Sequence, residues 1–198
     1  MELQTVIFIG RSGAGKGMQS GMLQDFMKKH SPDAAILYIE TGAHFRQHIN
    51  DTGHTWDLAR EINEKGGRQP DFLAVWIWSH MFIEKLHGNE HIVFDGAPRA
   101  IEEAKVLDTA LLFYGRKNPT VIFLNVGEEW ATERLRARGR ADDLSPEVIA
   151  RRLAYFKKDV EPTVEHYRNE PGYRFVEING EQTPDGVFDD VKKALELE

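Results

Sequence analysis

The chain has 198 residues, of which 41% are hydrophobic and 29% are charged, with a net charge of −7 and no cysteine. This length suits one well-buried core with a small insert, and without cysteine there is no disulfide framework and no cysteine-bound zinc. The acidic balance argues against nucleic acid as a partner, since binding to a phosphate backbone uses a basic surface. A start without a signal-peptide pattern and apolar runs too short to span a bilayer predict a cytoplasmic, soluble protein without membrane contact.

The first predicted strand, residues 5–9, runs into a glycine-rich turn and then into a helix. The turn has the pattern Gly10-x4-Gly15-Lys16. Glycines let successive backbone N–H groups point inward, the new helix adds its positive end, and Lys16 supplies a point charge for phosphates. This segment predicts a nucleoside-triphosphate site. It is a variant, because Gly17 and Met18 stand where the common motif has a Ser or Thr that reaches Mg²⁺.

Four further strand-like runs are predicted at residues 35–39, 91–94, 120–126 and 173–178, with helix-length segments between them. This alternation predicts an α/β fold, a doubly wound five-stranded parallel sheet with helices on both faces. Ligands of such sheets lie beyond the carboxyl ends of the strands, where Gly10, Asp95 and Val126 fall. The interval 41–88 has no strand and is longer than a crossover needs. It predicts a small helical insert into a core domain of residues 1–40 and 89–198.

The helical segments carry three secondary expectations. Ser145-Pro146 opens a long helix, which Pro162 is expected to kink or divide near residue 161. His44 and His48 have the spacing of a helical metal pair but no third ligand, so exposed histidines are favoured. An apolar run is expected to pack in the core rather than to stack on a base; it consists of Phe72, Val75, Trp76, Ile77, Trp78 and Phe82.

Asp95 follows the third strand and opens the segment Asp95-Gly96-Ala97-Pro98-Arg99. An aspartate at such a strand end, across from a phosphate-binding loop, is where Mg²⁺ or its waters would be held. A helix N-cap is the structural alternative, since aspartate caps helices well. Together with the glycine-rich loop, the metal site is the favoured interpretation.

The densest basic segment contains Arg134, Arg136, Arg138 and Arg140, and Arg152 follows shortly after. One interpretation is a solvated helix with ion pairs to nearby acidic residues. The other is convergence on phosphates, whose oxygens match bidentate guanidinium groups; one positioned arginine can contribute ~10³–10⁵ in rate. We favour function for Arg138, Arg140 and Arg152 and leave Arg134 and Arg136 open.

Taken in order, these motifs resemble the adenylate kinase branch of the nucleoside monophosphate kinases, which share the P-loop NTPase fold. The resemblance covers nearly the whole chain. It is carried by Gly10-x-x-Gly13-Ala14-Gly15-Lys16-Gly17-x-Gln19, Thr41-Gly42-x-x-x-Arg46, Lys65-Gly66 with Pro70-Asp71, Asp95-Gly96-x-Pro98-Arg99, Glu133-Arg134-Leu135-x-x-Arg138-Gly139, Arg140-x-Asp142-Asp143, Arg152-Leu153 and Asn179-Gly180.

The resemblance implies the reaction Mg·ATP + AMP ⇌ 2 ADP, with no side-chain nucleophile, in a monomeric enzyme. It implies an ATP-binding set of Gly13, Ala14, Gly15, Lys16, Gly17, Met18, Arg134 and Gly180. It implies an AMP-binding set of Thr41, Gly42, Arg46, Gly67, Arg68, Gln69, Gly96, Arg99, Glu103, Arg140 and Arg152. The implied catalytic residues are Lys16, Arg99, Arg138, Arg140 and Arg152, and Asp95 would hold Mg²⁺ through water.

The chain also departs from the family pattern. Met18 replaces a threonine, and Arg68-Gln69 replace an aliphatic pair. Glu103 replaces a glutamine that reads both the donor and the acceptor edge of adenine. A carboxylate can accept from an amino group but cannot donate to a ring nitrogen. A UMP/CMP-type kinase is therefore one alternative, and a catalytically silent nucleotide-binding protein is another.

The lid is the largest departure, because only Gly139 separates Arg138 from Arg140. We expect a vestigial lid loop at residues 138–141 rather than a mobile domain. Closure over the substrates would then fall to the insert.

Overall fold

The computed structural model describes residues 2–139 and 145–197. Its five strands are β1 (Thr5–Gly10), β2 (Ala35–Glu40), β3 (Glu90–Asp95), β4 (Thr120–Asn125) and β5 (Arg174–Asn179). They form one sheet in the order β2-β3-β1-β4-β5, and every neighbouring pair is parallel. The predicted doubly wound five-stranded sheet is confirmed.

The helices alternate with these strands. They are α1 (Lys16–His30), α2 (Thr41–His48), α3 (His54–Glu64), α4 (Asp71–Lys85), α5 (Ile101–Phe113), α6 (Glu128–Arg138), α7 (Pro146–Tyr155), α8 (Glu161–Asn169) and α9 (Pro184–Ala194). A π-helical turn, Phe156–Val160, joins α7 to α8. Helices α2, α3 and α4 occupy the interval between β2 and β3, where the sequence predicts a helical insert. That this insert moves as a unit of its own remains a prediction.

Helices cover both faces of the sheet, as alternate side chains of β1 show. Ile7 and Ile9 are fully or almost fully buried in a cluster with side chains of α4 and α5. Val6 and Phe8 are fully buried in a second cluster with side chains of α1 and α9. Near-continuous apolar strands are required because neither face meets water. This packing leaves the carboxyl edge of the sheet as the open end of the domain.

The long helix predicted after Ser145 is divided, as expected. Pro162 lies in the first turn of α8, where its missing backbone N–H costs little. The π-helical turn directly before α8 accommodates the break.

Two secondary expectations are wrong in part. Phe72 is 67% exposed and Trp76 is 44% exposed, whereas Ile77, Trp78 and Phe82 are buried as predicted. Helix α4 therefore buries one face and leaves two aromatic side chains on the other.

The histidines of α2 are partly buried rather than exposed. His48 lies 2.7 Å from Asp51 and stacks on Trp56 at 4.8 Å between ring centroids. Within residues 2–139 and 145–197, no group of three or more histidine or acidic side chains could hold a metal ion. None of the helices in these ranges combines the length and apolar character that crossing a bilayer requires.

Candidate functional site

A cleft of about 630 Å³ opens above the carboxyl edge of β1 and β3. Its walls come from the glycine-rich loop, the insert, the loop after β3, and helices α5, α6 and α7. Seven lysine and arginine side chains line it against three carboxylates, although the whole chain carries a net charge of −7. The cleft is therefore a local site for anions within an acidic protein.

The glycine-rich loop has the backbone that a phosphate cradle needs. Gly13 and Gly15 both have φ of +91°, a region that other residues rarely adopt. Helix α1 begins immediately afterwards, at Lys16, so its positive end faces the cleft. The Lys16 Nζ atom donates to the carbonyl oxygens of Gly10 and Arg11, each at 2.8 Å. Burial lowers the pKa of Lys16 to about 8, although the charge of Asp95 opposes the shift.

Two arginines and Lys16 form a row of cations along the floor of the cleft. A Cβ atom placed on Gly42 would lie 3.3 Å from Arg46 Nη1 and 3.7 Å from Arg99 Nη2. A Cβ atom on Gly96 would lie 3.4 Å from Arg99 Nη2 and 3.5 Å from Lys16 Cε. Both glycines thus leave space for charged groups. Arg99 stands between the other two cations and donates to the carbonyl of Gly96 at 2.6 Å.

Asp95 is a buried carboxylate at the end of β3, only 7% exposed. It does not cap a helix. It accepts a hydrogen bond from the Tyr38 hydroxyl at 3.0 Å. Burial raises the pKa of Asp95, with Lys16 as the main opposing influence.

The residues around Asp95 fit a magnesium ion that arrives with a nucleotide. A Cβ atom on Gly17 would lie 3.1 Å from Asp95 Oδ2, so the absent side chain keeps this carboxylate accessible. Mg²⁺ is commonly held by one or two carboxylates together with phosphate oxygens and water, rather than by an all-protein cage. One buried carboxylate beside the phosphate cradle matches this pattern.

Arg68, which also lines the cleft, is surrounded by three carboxylates. It pairs with Asp71, with Glu103 at 3.0 Å and with Asp159 at 3.3 Å. The other Glu103 oxygen accepts from the Arg99 backbone N–H at 3.2 Å. Burial raises the pKa of Glu103 to about 7, against the charges of Arg99 and Arg68.

Some arginines of the basic segment line the cleft and one does not. Arg134, Arg138 and Arg152 line the cleft, and Arg134 lies over the Trp130 ring with 4.7 Å to the centroid. Arg136 is exposed and is not among the lining residues. The predicted Arg140, together with Asp142 and Asp143, lies outside the described residues.

Most of the predicted site residues share this one cleft. The members expected to bind ATP are Gly13, Gly15, Lys16, Gly17, Met18 and Arg134; those expected to bind AMP are Thr41, Gly42, Arg46, Gly67, Arg68, Gln69, Gly96, Arg99 and Glu103; Asp95, Arg138 and Arg152 complete the set.

Two predicted residues lie behind the cleft wall. Ala14 is buried. A Cβ atom on Gly180 would lie 2.6 Å from Val126 Cγ1 and 3.5 Å from the Ala14 carbonyl oxygen. The turn at Gly180 thus packs directly against the phosphate loop.

Sequence reasoning did not predict several polar residues of the cleft, among them Tyr38, Glu40, Asn63 and Tyr155. Tyr38 and Glu40 end β2, and alternation along that strand together with its carboxyl-edge position could have identified them. The Tyr155 hydroxyl lies 3.2 Å from the Ser12 hydroxyl. No sequence pattern predicted that Tyr155 lines the cleft, because its position depends on where α7 packs.

Comparison with known proteins decides the family. The adenylate kinase family model matches residues 8–171. The chain belongs to the adenylate kinase family. It is 31% identical to an adenylate kinase of Oenococcus oeni over 97% of both chains and 32% identical to one of Bacteroides fragilis over 96% of this chain and 97% of that one. An adenylate kinase of Thermus thermophilus is 31% identical over 97% of both chains.

Membership in the adenylate kinase family supports the adenylate kinase function expected from the sequence, rather than either alternative. The match covers the donor loop, the insert and the arginine segment alike. The short lid stays a prediction, since residues 140–144 fall outside the described part of the chain.

Proposed function

We propose that this protein transfers the γ-phosphoryl group of Mg·ATP to AMP, giving two ADP, and that it catalyses the reverse reaction. The observation that carries the proposal is the row of Arg46, Arg99 and Lys16, which connects the wall of the insert to the phosphate loop. One polyanion would bind at the phosphate loop and a second at Arg46 and Arg99. The relatives named adenylate kinase support AMP as the second substrate.

In the proposed reaction a phosphate oxygen of AMP attacks the γ-phosphorus in line. The bond to the oxygen bridging the β- and γ-phosphates breaks, and ADP leaves with its electron pair. No side chain needs to form a covalent bond, so catalysis consists of positioning and charge stabilisation. Bound Mg²⁺ would neutralise charge on the transferring phosphates, with Asp95 holding it through water.

The arginines have distinct proposed tasks. Arg46 and Arg99 bind the monophosphate, and Arg134 lies over the donor base. Arg138 and Arg152 face the transferring group from α6 and α7. Arg140 is assigned the same task by family resemblance alone. A monomeric state and a cytoplasmic location belong to this proposal as well.

The proposal is tested by steady-state assays with Mg·ATP and each of AMP, GMP, CMP and UMP. We expect AMP to be the best acceptor and Arg99→Met to lower kcat/KM for AMP by about 10³-fold. ATP binding measured by calorimetry should change little in that variant. The matched control is Arg60→Met, since Arg60 is not among the residues that line the cleft and bonds only within the insert, to Asp57 and to the carbonyls of Ile49 and Asp51. Tight ATP binding without phosphorylation of AMP would contradict the proposal and favour a silent nucleotide-binding protein.

A further inference from the structure

The acceptor wall of the cleft contains an ion pair with free hydrogen-bonding capacity. Arg68 Nη1 lies 3.0 Å from Glu103 Oε1, and both residues line the cleft. The Glu103 side chain is 2% exposed and the Arg68 side chain 19%. Charged groups are seldom buried this far unless they are paired and hydrogen-bonded. Because this ion pair is buried, keeping the protein surface soluble does not explain it.

The guanidinium of Arg68 is held in place by two further carboxylates. Asp71 shares Nη1, and Asp159 of the π-helical turn accepts from Nε at 3.3 Å. Nη2 donates no hydrogen bond to any residue within 2–139 or 145–197. Arg68 therefore presents a fixed donor with N–H groups to spare.

Glu103 also retains accepting capacity. One of its oxygens takes the Arg68 bond and the other takes the Arg99 backbone N–H. Each carboxylate oxygen has two lone pairs, so each can accept once more. An acceptor and a donor thus stand side by side on one wall.

A monophosphate held by Arg46 and Arg99 would place its base toward this wall. Asn63, Gly67 and Gln69 line the same cleft, and the Arg99 backbone N–H donates to Glu103 at 3.2 Å, which joins this pair to the arginine that would hold the phosphate. Resting on the proposed function, we propose that the Arg68–Glu103 pair reads the edge of the acceptor base. Glu103 accepts from the exocyclic amino group, and Arg68 donates to the neighbouring ring nitrogen.

This pair distinguishes bases by the order of donor and acceptor. Adenine offers an amino donor beside an unprotonated ring nitrogen, which matches Glu103 and Arg68. Hypoxanthine and guanine offer a carbonyl beside a ring N–H. Their carbonyl oxygen would face the Glu103 carboxylate, another acceptor, and their N–H would face the Arg68 guanidinium, another donor. Cytosine has the order of adenine and uracil that of hypoxanthine. The pair therefore favours AMP over IMP and CMP over UMP.

The competing interpretation gives Arg68 a purely structural task. It would neutralise Glu103, Asp71 and Asp159 and join the insert to the core without touching the base. Substitution would then lower stability and activity with every acceptor to the same degree. A test must therefore compare ratios between acceptors that differ by a single atom or group.

The experiment measures kcat/KM for four acceptors: AMP, IMP and two analogues of AMP. The first analogue, 1-deaza-AMP, lacks the ring nitrogen at this edge, and the second is the purine nucleotide without the amino group. Wild-type protein, Arg68→Met, the double variant Arg68→Met/Glu103→Met and the control Arg60→Met are compared. The double variant replaces a buried ion pair by apolar side chains of similar length, which proteins often tolerate. It keeps the test available if Arg68→Met alone does not fold.

For wild type and Arg60→Met, we expect 1-deaza-AMP and the purine nucleotide each to be about 10- to 100-fold worse than AMP. The 1-deaza-AMP penalty should disappear in Arg68→Met, and both penalties should disappear in the double variant. The AMP-to-IMP preference should collapse in parallel, while KM for ATP stays within about twofold of the wild-type value.

Unchanged ratios in the folded variants would show that the pair is structural and would overturn the inference alone. An equal loss with all four acceptors would do the same. Failure of wild-type protein to phosphorylate any monophosphate would overturn the proposed function as well, so the two failures are distinguishable.

Discussion

Lys16 illustrates how the cleft positions a charge for phosphate. Burial disfavours the charged form of its ammonium group, and the nearby cations Arg99 and Arg138 add to this effect, although two carbonyls of its own loop accept hydrogen bonds from it. Bound phosphate oxygens would favour the charged form of Lys16 again, because their negative charge replaces the stabilisation by water that burial takes away. The shifted pKa thus makes nucleotide binding dependent on one proton.

The first prediction is that ATP affinity depends on the protonation of Lys16. The pKa of about 8 in the free protein lies below the ordinary lysine value of 10.5. Below pH 8 the lysine is charged, and affinity should not depend on its titration. Above pH 8 the free protein must take up a proton to bind, so Kd for ATP should rise about tenfold per pH unit. Calorimetry between pH 7 and 9.5 in two buffers measures both Kd and the protons taken up.

Lys16→Met is the matched variant for this experiment. It should bind ATP more weakly at pH 7 and show no rise in Kd near pH 8. An identical rise in the variant would assign the titration to another group and refute the prediction.

At the residue scale, the sequence could predict which residues share the cleft where a residue stands next to a strand end. Lys16, Asp95 and Arg99 could be identified because parallel strands bring their carboxyl ends to one edge. The partners of Arg68 could not be found this way. Asp159 and Glu103 come from the π-helical turn and from α5, whose relative placement follows from tertiary packing.

At the scale of elements, the phosphate loop is packed tightly against α6. A Cβ atom on Gly13 would lie 2.5 Å from the Ala131 carbonyl oxygen, and Gly13 has φ of +91°. Any side chain there would force the loop away from α6, which carries Arg134 and Arg138 into the cleft. Gly13 thus couples the donor loop to the arginine segment.

The second prediction follows from that contact. Gly13→Ala should lower kcat/KM for ATP by about 10²-fold and the free energy of unfolding by about 2 kcal/mol. The matched control is Gly21→Ala in α1, where an added Cβ atom meets nothing within 4 Å. Alanine is the better helix former, so this control should keep full activity and gain about 0.5–1 kcal/mol. Equal behaviour of the two variants in activity assays and chemical denaturation would contradict the prediction.

Helices and strands could be predicted where a short stretch of sequence is enough to define them. Apolar runs marked the five strands, and Pro162 marked the division of the long helix. The π-helical turn was not foreseen, because its residues are held by distant partners: Phe156 lies under Arg11, Lys157 pairs with Glu128 and Asp159 with Arg68. Such contacts appear only once the sheet has brought these segments together.

At the scale of the whole molecule, an acidic chain concentrates its cations in one cleft between the insert and the core. Arg68 joins these parts, since it belongs to the insert but pairs with Glu103 and Asp159 of the core. Two polyanions must be enclosed away from water for phosphoryl transfer to outcompete hydrolysis. With so short a segment between Arg138 and Arg140, the insert is the part of the described chain expected to close.

The last prediction tests this closure with two labelled pairs in a chain that has no native cysteine. One pair joins Glu64→Cys in the insert to Lys193→Cys on α9, and the other joins Arg136→Cys at the end of α6 to the same reference. A bisubstrate analogue, in which five phosphates link two adenosines, should change the first spin-label distance by more than about 2 Å. The second distance should change by less than about 1 Å. A shift of several ångström confined to the Arg136 pair would show that a functional lid exists and that the insert is not the closing element.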